Sequence, residues 1–405
     1  LYYYVKEILE TTNNKVVVLA FTNKAVDTIC KCFREPRSGN PIPYIRIGSK
    51  HVKDESLLET LLEQAGNNPD EWRRLLETNR IFVGTVASFQ NKLKLMNQFI
   101  PFHQVVIDEA SQLTEADLVG ILSVFNKFIL IGDHLQLPAV ITQHEKSCIV
   151  QSESLHEYGI LDLRVSLFER LYRNASIKNW TMAYGQLSDH YRMHDHIAFL
   201  ISHHYELGLE STLPPQWQME IPVYFTEDHP INNILKSRVL FIECPPDVAP
   251  KKNTSEARLA AWFASSFIKN NILLSKEVGI IAPFRAQVVE IKKFIPHDIL
   301  STNDESLQID TVERFQGDER KLIIFSTTIA SGPQIRNIQS LVNNGNEEVD
   351  RKLLVSISRA SEILIILGCS AALSASTPYR NMISRIRDKN GYIGRDWAEK
   401  VLETI

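Results

Sequence analysis

With 405 residues, 44% of them hydrophobic and 23% charged, the sequence has the make-up of a soluble globular protein long enough for two domains. No window approaches the roughly 18 consecutive apolar residues of a membrane span, and five scattered cysteines, Cys30, Cys32, Cys148, Cys244 and Cys369, fit reduced thiols better than a disulfide framework or a zinc site. A net charge of −4 excludes a globally basic surface, so any nucleic-acid binding has to come from a local groove.

The chain opens on Leu1-Tyr2-Tyr3-Tyr4 without a methionine, and the spacing of Leu1, Tyr4, Val5, Ile8 and Leu9 predicts a helix over 1–10. A start inside a helix reads as that of a fragment. Residues 15–21 form a strand, and Thr22 or Asn23 caps the helix that follows. That turn gathers hydroxyl, amide and amine groups, which suits an anionic ligand as well as simple capping. Residues 34–79 differ in character: a loop with Pro and Gly runs into a polar, amphipathic stretch over 56–76, a small excursion from the core domain. The strand 81–85 leaves Thr85 and Ser88 at its exit.

The next strand is the most informative. Val105-Val106-Ile107 ends abruptly in Asp108 and Glu109. A buried parallel strand delivers such charges to the crevice at its C-terminal end. Two adjacent carboxylates repel each other, so a metal or a basic group is expected beside them; a solvated helix start is the plain alternative. A further buried strand over 127–132 ends in Gly132-Asp133-His134-Leu135-Gln136-Leu137-Pro138, and a helix over 166–172 closes the first domain near residue 175.

The second half begins with Asp189-His190-Tyr191-Arg192-Met193-His194 and a helix over 197–205, followed by loops rich in Pro and polar residues over 211–234. Strand signals recur at 239–243, 278–282, 307–310, 321–326, 353–357 and 364–367, with a long helix over 255–270 and a shorter one after Pro283. Residues 331–350, carrying Gly, Pro and several Asn, read as a mobile loop. Strands alternating with helices predict α/β architecture in both halves. His190 and His194, placed on one helix face, with His196 and His203-His204 behind, raise a metal-site reading that no cysteine or carboxylate set completes.

These segments, in order, resemble the motifs of superfamily 1 helicases of the up-frameshift-like branch over residues 15–370. The resemblance implies two RecA-like domains with mostly parallel sheets, 1–175 (with the insertion 34–79) and 176–405, and ATP bound in the cleft between them. Phe21-Thr22-Asn23-Lys24 resembles motif Ia and Gly84-Thr85-Val86-Ala87-Ser88 motif Ic, which implies backbone contacts to nucleic acid from Thr22, Asn23, Thr85 and Ser88. Asp108-Glu109-Ala110-Ser111 resembles the Walker B motif, with Asp108 holding Mg²⁺ and Glu109 polarising water. The stretch 132–138 resembles motif III, with Gln136 sensing the γ-phosphate.

By the same resemblance, Tyr191 stacks on adenine while Arg192 and Arg359 act as arginine fingers. Gly317 and Glu319 contact the nucleotide, and Pro283, Arg285 and Thr311 contact nucleic acid. Where relatives carry Gln, Asp, Thr and Asn, this chain has His190, Glu313, Ser358 and Leu354. The phosphate-binding loop G-x-x-x-x-G-K-[ST] occurs nowhere in the sequence. The resemblance therefore implies an ATP-dependent helicase or translocase using ATP and Mg²⁺ in the intact protein, with this piece alone binding ATP poorly and hydrolysing essentially none. It also implies a single-stranded DNA or RNA partner, no membrane, a monomer, and a cytoplasmic location, or a nuclear one in a eukaryote. The alternative is a catalytically inactive helicase-like module that binds nucleic acid or protein.

Overall fold

A computed structural model describes residues 1–36, 38–48, 60–66, 68–218, 225, 228–300, 306–315, 317–345 and 347–405. Parts of the stretch 56–76 and of the loops over 211–234, Arg37 and Gln316 lie outside the described residues. The chain divides into two compact units, one of residues 1–134 and 138–184, the other of 135–137 and 185–405.

The first unit is built on a parallel sheet of β1 (Val16–Ala20), β2 (Ile45–Ile47), β3 (Ile81–Thr85), β4 (Gln104–Asp108) and β5 (Lys127–Leu130), in the order β2-β3-β1-β4-β5. The run Val16-Val17-Val18-Leu19 is apolar throughout because both faces of β1 are covered, as burial on two sides requires. Val16, Val18 and Ala20 pack with Val5, Ile8, Val26, Ile29 and Phe33 of the helices Tyr2–Thr11 and Asn23–Arg34. Val17 and Leu19 face the other way, onto Leu76, Phe89, Met96 and Leu118 of the helices that cover the opposite face.

Two expectations for this unit need correction. The stretch 34–79 is not wholly an excursion, because Ile45–Ile47 pairs with β3 and extends the sheet. The strand expected to be buried over 127–132 is an edge strand, with Lys127 exposed and Phe128 44% exposed. It pairs only with β4 among the described residues, so one of its sides lacks the cover that buries its neighbour.

The second unit carries a short parallel pair, β6 (Asp189–His190) and β7 (Glu210–Ser211), beside a larger parallel sheet. That sheet contains β8 (Val239–Glu243), β9 (Val278–Ile281), β10 (Gln308–Asp310) and β11 (Arg320–Ser326). An antiparallel hairpin of β12 (Leu341–Asn344) and β13 (Glu347–Asp350) follows, and then β14 (Ala360–Gly368) and β15 (Tyr392–Ile393) return to the sheet, whose order is β10-β9-β11-β14-β8-β15. Leu240, Ile242, Ile280 and Ile324 pack on the helices Thr254–Lys269, Arg285–Phe294 and Arg395–Thr404. Phe241, Ile323, Phe325 and Leu364 pack on the other face with Ile197, Leu353 and Met382. Mostly parallel α/β architecture is thus observed in both units.

The stretch 331–350 is not a loop; it holds a 3-10 turn, Gly332–Asn337, and the β12–β13 hairpin. The strand expected over 353–357 is the helix Arg351–Ser358, started by the Asp350 side chain, which accepts from the Lys352 amide. Its residues 353–358 are all buried. A short helix buried all round shows no polar face, so an apolar run of this length cannot be told from a strand by pattern alone.

Candidate functional site

In the first unit the residues singled out by sequence all follow the C-terminal ends of parallel strands, the edge where α/β sheets bind ligands. Asp108 ends β4, in register with Ala20 of β1. Its carboxylate is half-buried, and burial raises its pKa above the ordinary carboxyl range, partly offset by the Glu109 amide that donates to Oδ1 at 3.0 Å. Glu109 adopts a left-handed backbone, φ 55° and ψ 35°, at a cost of about 1–2 kcal/mol for a residue with a Cβ. That conformation turns the chain sharply into the 3-10 turn Ala110–Gln112. Gln112 Nε2 donates to Glu109 Oε2 at 2.7 Å and fixes the carboxylate.

Gly132, after β5, closes the other side of this corner. A Cβ there would stand 3.0 Å from the Ser111 backbone nitrogen. The close approach is matched by hydrogen bonds from Ala110 N to Ile131 O and from Ile131 N to Ile107 O, each 2.8 Å. Ser111 Oγ is buried with no partner among the described residues. The donor set at this corner, two carboxylates and a hydroxyl, is all oxygen, which suits a hard cation such as Mg²⁺.

Thr22 caps its helix, accepting from the Ala25 amide at 3.2 Å, and leaves Asn23 exposed beside it. Thr85 is buried. It accepts from the Ser88 amide at 3.1 Å and donates to Ser88 Oγ at 2.8 Å, so both hydroxyls are engaged in starting the helix Val86–Phe99. Its neighbour Gly84 is required by packing, since a Cβ would meet Ile47 O at 2.8 Å.

The second unit places the remaining candidates in two groups. Arg285, after β9, lies 3.6 Å from Asp310 Oδ1, and Asp310 also accepts from the Thr311 amide at 2.8 Å and neighbours Arg314 at 3.8 Å. Half-buried Pro283 precedes Arg285, so Pro283, Arg285 and Thr311 share the ends of the paired strands β9 and β10. In the other group, Arg192 Nε and Glu319 Oε2 form a 2.5 Å ion pair, with 41% and 57% of the side chains exposed. Tyr191 presents an exposed ring next to it. Gly317 has φ 76°, a left-handed turn that leaves open space where a side chain would stand.

Arg359 is the exception. It is 2% exposed, donating from Nε to Val355 O and from Nη1 to Asp318 O, both at 3.3 Å, and from Nη2 to Gln136 Oε1 at 3.5 Å. The structure therefore brings Gln136 and Arg359 together and holds Arg359 among carbonyl groups. Gln136 reaches it because Leu135 and Leu137, flanking it, are buried in the core of the second unit. Sequence order alone assigned the tripeptide to the first domain.

The histidines also sort differently from the expected helix face. His190 lies in the short strand β6 and His194 caps the helix Asp195–Ile201, so the two do not share a helix. Burial lowers the pKa of His194 to about 4. His203 and His204 instead meet Glu347, from the segment read as a loop, at 3.3 and 3.0 Å. The adjacent His-His pair was visible in the sequence. Its carboxylate partner, more than 140 residues away, was not.

Two family models, each described as an AAA domain, match residues 58–144 and 163–371. Among curated proteins, the chain is 26% identical over 94% of its length to the DNA replication ATP-dependent helicase/nuclease DNA2 of Bos taurus. It is 28% identical over 79% of its length to the probable helicase DDB_G0274399 of Dictyostelium discoideum, and 25% over 88% to the RNA helicase Mov10l1 of Mus musculus. These alignments cover 35%, 30% and 30% of the respective relatives, so the chain spans about a third of their length. Among solved structures, the helicase MrfA bound to DNA aligns with 94% of the chain and 46% of its own, at 10% identity and TM-score 0.44.

Proposed function

The chain belongs to the superfamily 1 helicases of the up-frameshift-like branch, and we propose that the protein is an ATP-dependent translocase or helicase acting on single-stranded nucleic acid. The observation that carries this reading is the corner at Asp108 and Glu109. A left-handed glutamate, anchored by Gln112 and closed in by Gly132, is an expensive way to end a strand unless the carboxylates are needed there.

In this reading Asp108 and the Ser111 hydroxyl hold Mg²⁺, and Glu109 orients the attacking water and accepts its proton. A bound Mg²⁺ would supply charge neutralisation at the β- and γ-phosphates of the nucleotide. Arg192 brings a planar guanidinium suited to a phosphoryl group, and Gln136, bonded to Arg359, links the segment after β5 to the second finger. Thr22, Asn23, Thr85, Ser88, Pro283, Arg285 and Thr311 contact the sugar-phosphate backbone, and Tyr191 offers its ring to the adenine.

The direct test is ATP turnover with and without single-stranded DNA or RNA, on this chain and on a form that carries a phosphate-binding loop upstream of Leu1. We expect stimulation by single strands in the longer form and essentially none in the chain alone. A longer form with that loop that neither hydrolyses ATP nor is stimulated would refute the reading. The enclosure of Arg359 favours a second one, a binding module that grips nucleic acid without turnover; salt-dependent strand binding with no hydrolysis in either form would select it.

A further inference from the structure

We propose that His203, His204 and Glu347 form a zinc-type metal site that pins the β12–β13 hairpin to the end of the helix Asp195–Ile201. His203 and His204 are consecutive in the 3-10 turn Ser202–His204, with rings 3.9 Å apart, and Glu347 begins β13. One ligand atom from each residue lies within 4.8 Å of the other two. The Glu347 oxygens stand 3.3 Å from His203 Nε2 and 3.0 Å from His204 Nδ1. Ligands about 2.0–2.1 Å from a tetrahedral zinc ion are separated from each other by roughly 3.3 Å. The set is already near that spacing, and two imidazoles with one carboxylate are a zinc ligand set with the fourth position open.

An independent observation points to a ligand at the same place. A cavity of about 20 Å³, enough for one water, is lined by His203, His204 and Asp350 among mostly apolar side chains such as Leu200, Leu353 and Met382; Glu347 stands outside this lining. Asp350 is 2% exposed, and its Oδ1 is used by the Ser340 and Lys352 amides, while Oδ2 has no partner among the described residues. A water in this space would supply a partner for Oδ2 and could serve as the fourth ligand. The site lies at the start of the helix Arg351–Ser358, which leads directly to Arg359.

The experiment is metal uptake by the whole chain after stripping with a chelator, independent of any ATP chemistry. Zn²⁺ should bind with one strong site and raise the melting temperature, and Co²⁺ should give the absorption of a tetrahedral nitrogen–oxygen site. His204→Ala and Glu347→Gln should each weaken Zn²⁺ binding more than about 100-fold, beyond the range seen for partners of ligands. Glu347→Gln keeps the size of the side chain and one acceptor oxygen while removing the charge, so with a melting measurement it separates lost metal from lost folding. His297→Ala, exposed and remote in sequence, should change nothing. Absence of stoichiometric uptake, or an unchanged Co²⁺ spectrum in folded Glu347→Gln, overturns the proposal.

Discussion

The two units hold the charged side chains of their candidate sites in different ways. The first gathers carboxylates at one corner: Asp108 is half-buried with burial raising its pKa, and Glu109, in a left-handed backbone, is held by Gln112. The second gives its arginines internal partners, Arg192 on Glu319, Arg285 beside Asp310, and Arg359 on carbonyl oxygens and Gln136. The first arrangement awaits a cation, whereas the second has to exchange existing partners for an anion.

The contrast can be broken experimentally, and the largest effect should come from the arginines. Arg192→Ala in a form competent for turnover should lower kcat by about 10³–10⁵, the range for loss of an arginine finger; an effect below tenfold would leave the Glu319 pair as its only role. Glu109→Gln should lower kcat by about 10²–10⁴ with nucleotide binding retained, measured as turnover against equilibrium ATP binding. Gly132→Ala tests the backbone of the corner. A methyl group against the Ser111 nitrogen should destabilise the chain by about 1–3 kcal/mol in denaturant titration.

A buried carboxylate in the second unit sharpens the comparison with Asp108. Glu256 is fully buried; its Oε2 accepts from Ser326 Oγ at 2.7 Å and from the Thr328 amide at 2.9 Å, and burial pushes its pKa up to about 8. Because the folded state holds this proton and the unfolded chain releases it, stability should fall as pH rises from the ordinary carboxyl range to about 8, then level off. Glu256→Gln should flatten that slope, followed as melting temperature against pH. The smallest effect is expected from Glu319→Gln. Its exposed pair with Arg192 contributes at most about 1 kcal/mol, so stability should hardly move while Arg192 is freed.

Much of the fold was legible in the residues. The strands at β1, β3, β4 and β8 and the Thr22 cap follow from apolar runs bounded by polar, helix-starting residues. Errors arose where local pattern and environment part company. The helix Arg351–Ser358 was read as a strand because burial on all sides erases periodicity, and the β12–β13 hairpin was read as a loop because its strands carry Asn and Glu. Phe128, apolar in sequence, sits on an exposed edge strand.

The sequence by itself determined the family, the α/β alternation and the chemical types gathered at the strand ends, because motifs and alternation are local and survive as residue order. Only the tertiary structure decided which partners those groups take. It assigned Leu135–Leu137 to the second unit, enclosed Arg359, and joined Glu347 to His203 and His204. Each of these depends on packing between segments remote in sequence. Hydrophobic burial and hydrogen-bond satisfaction set such pairings over the whole unit, and no window of the chain contains that information.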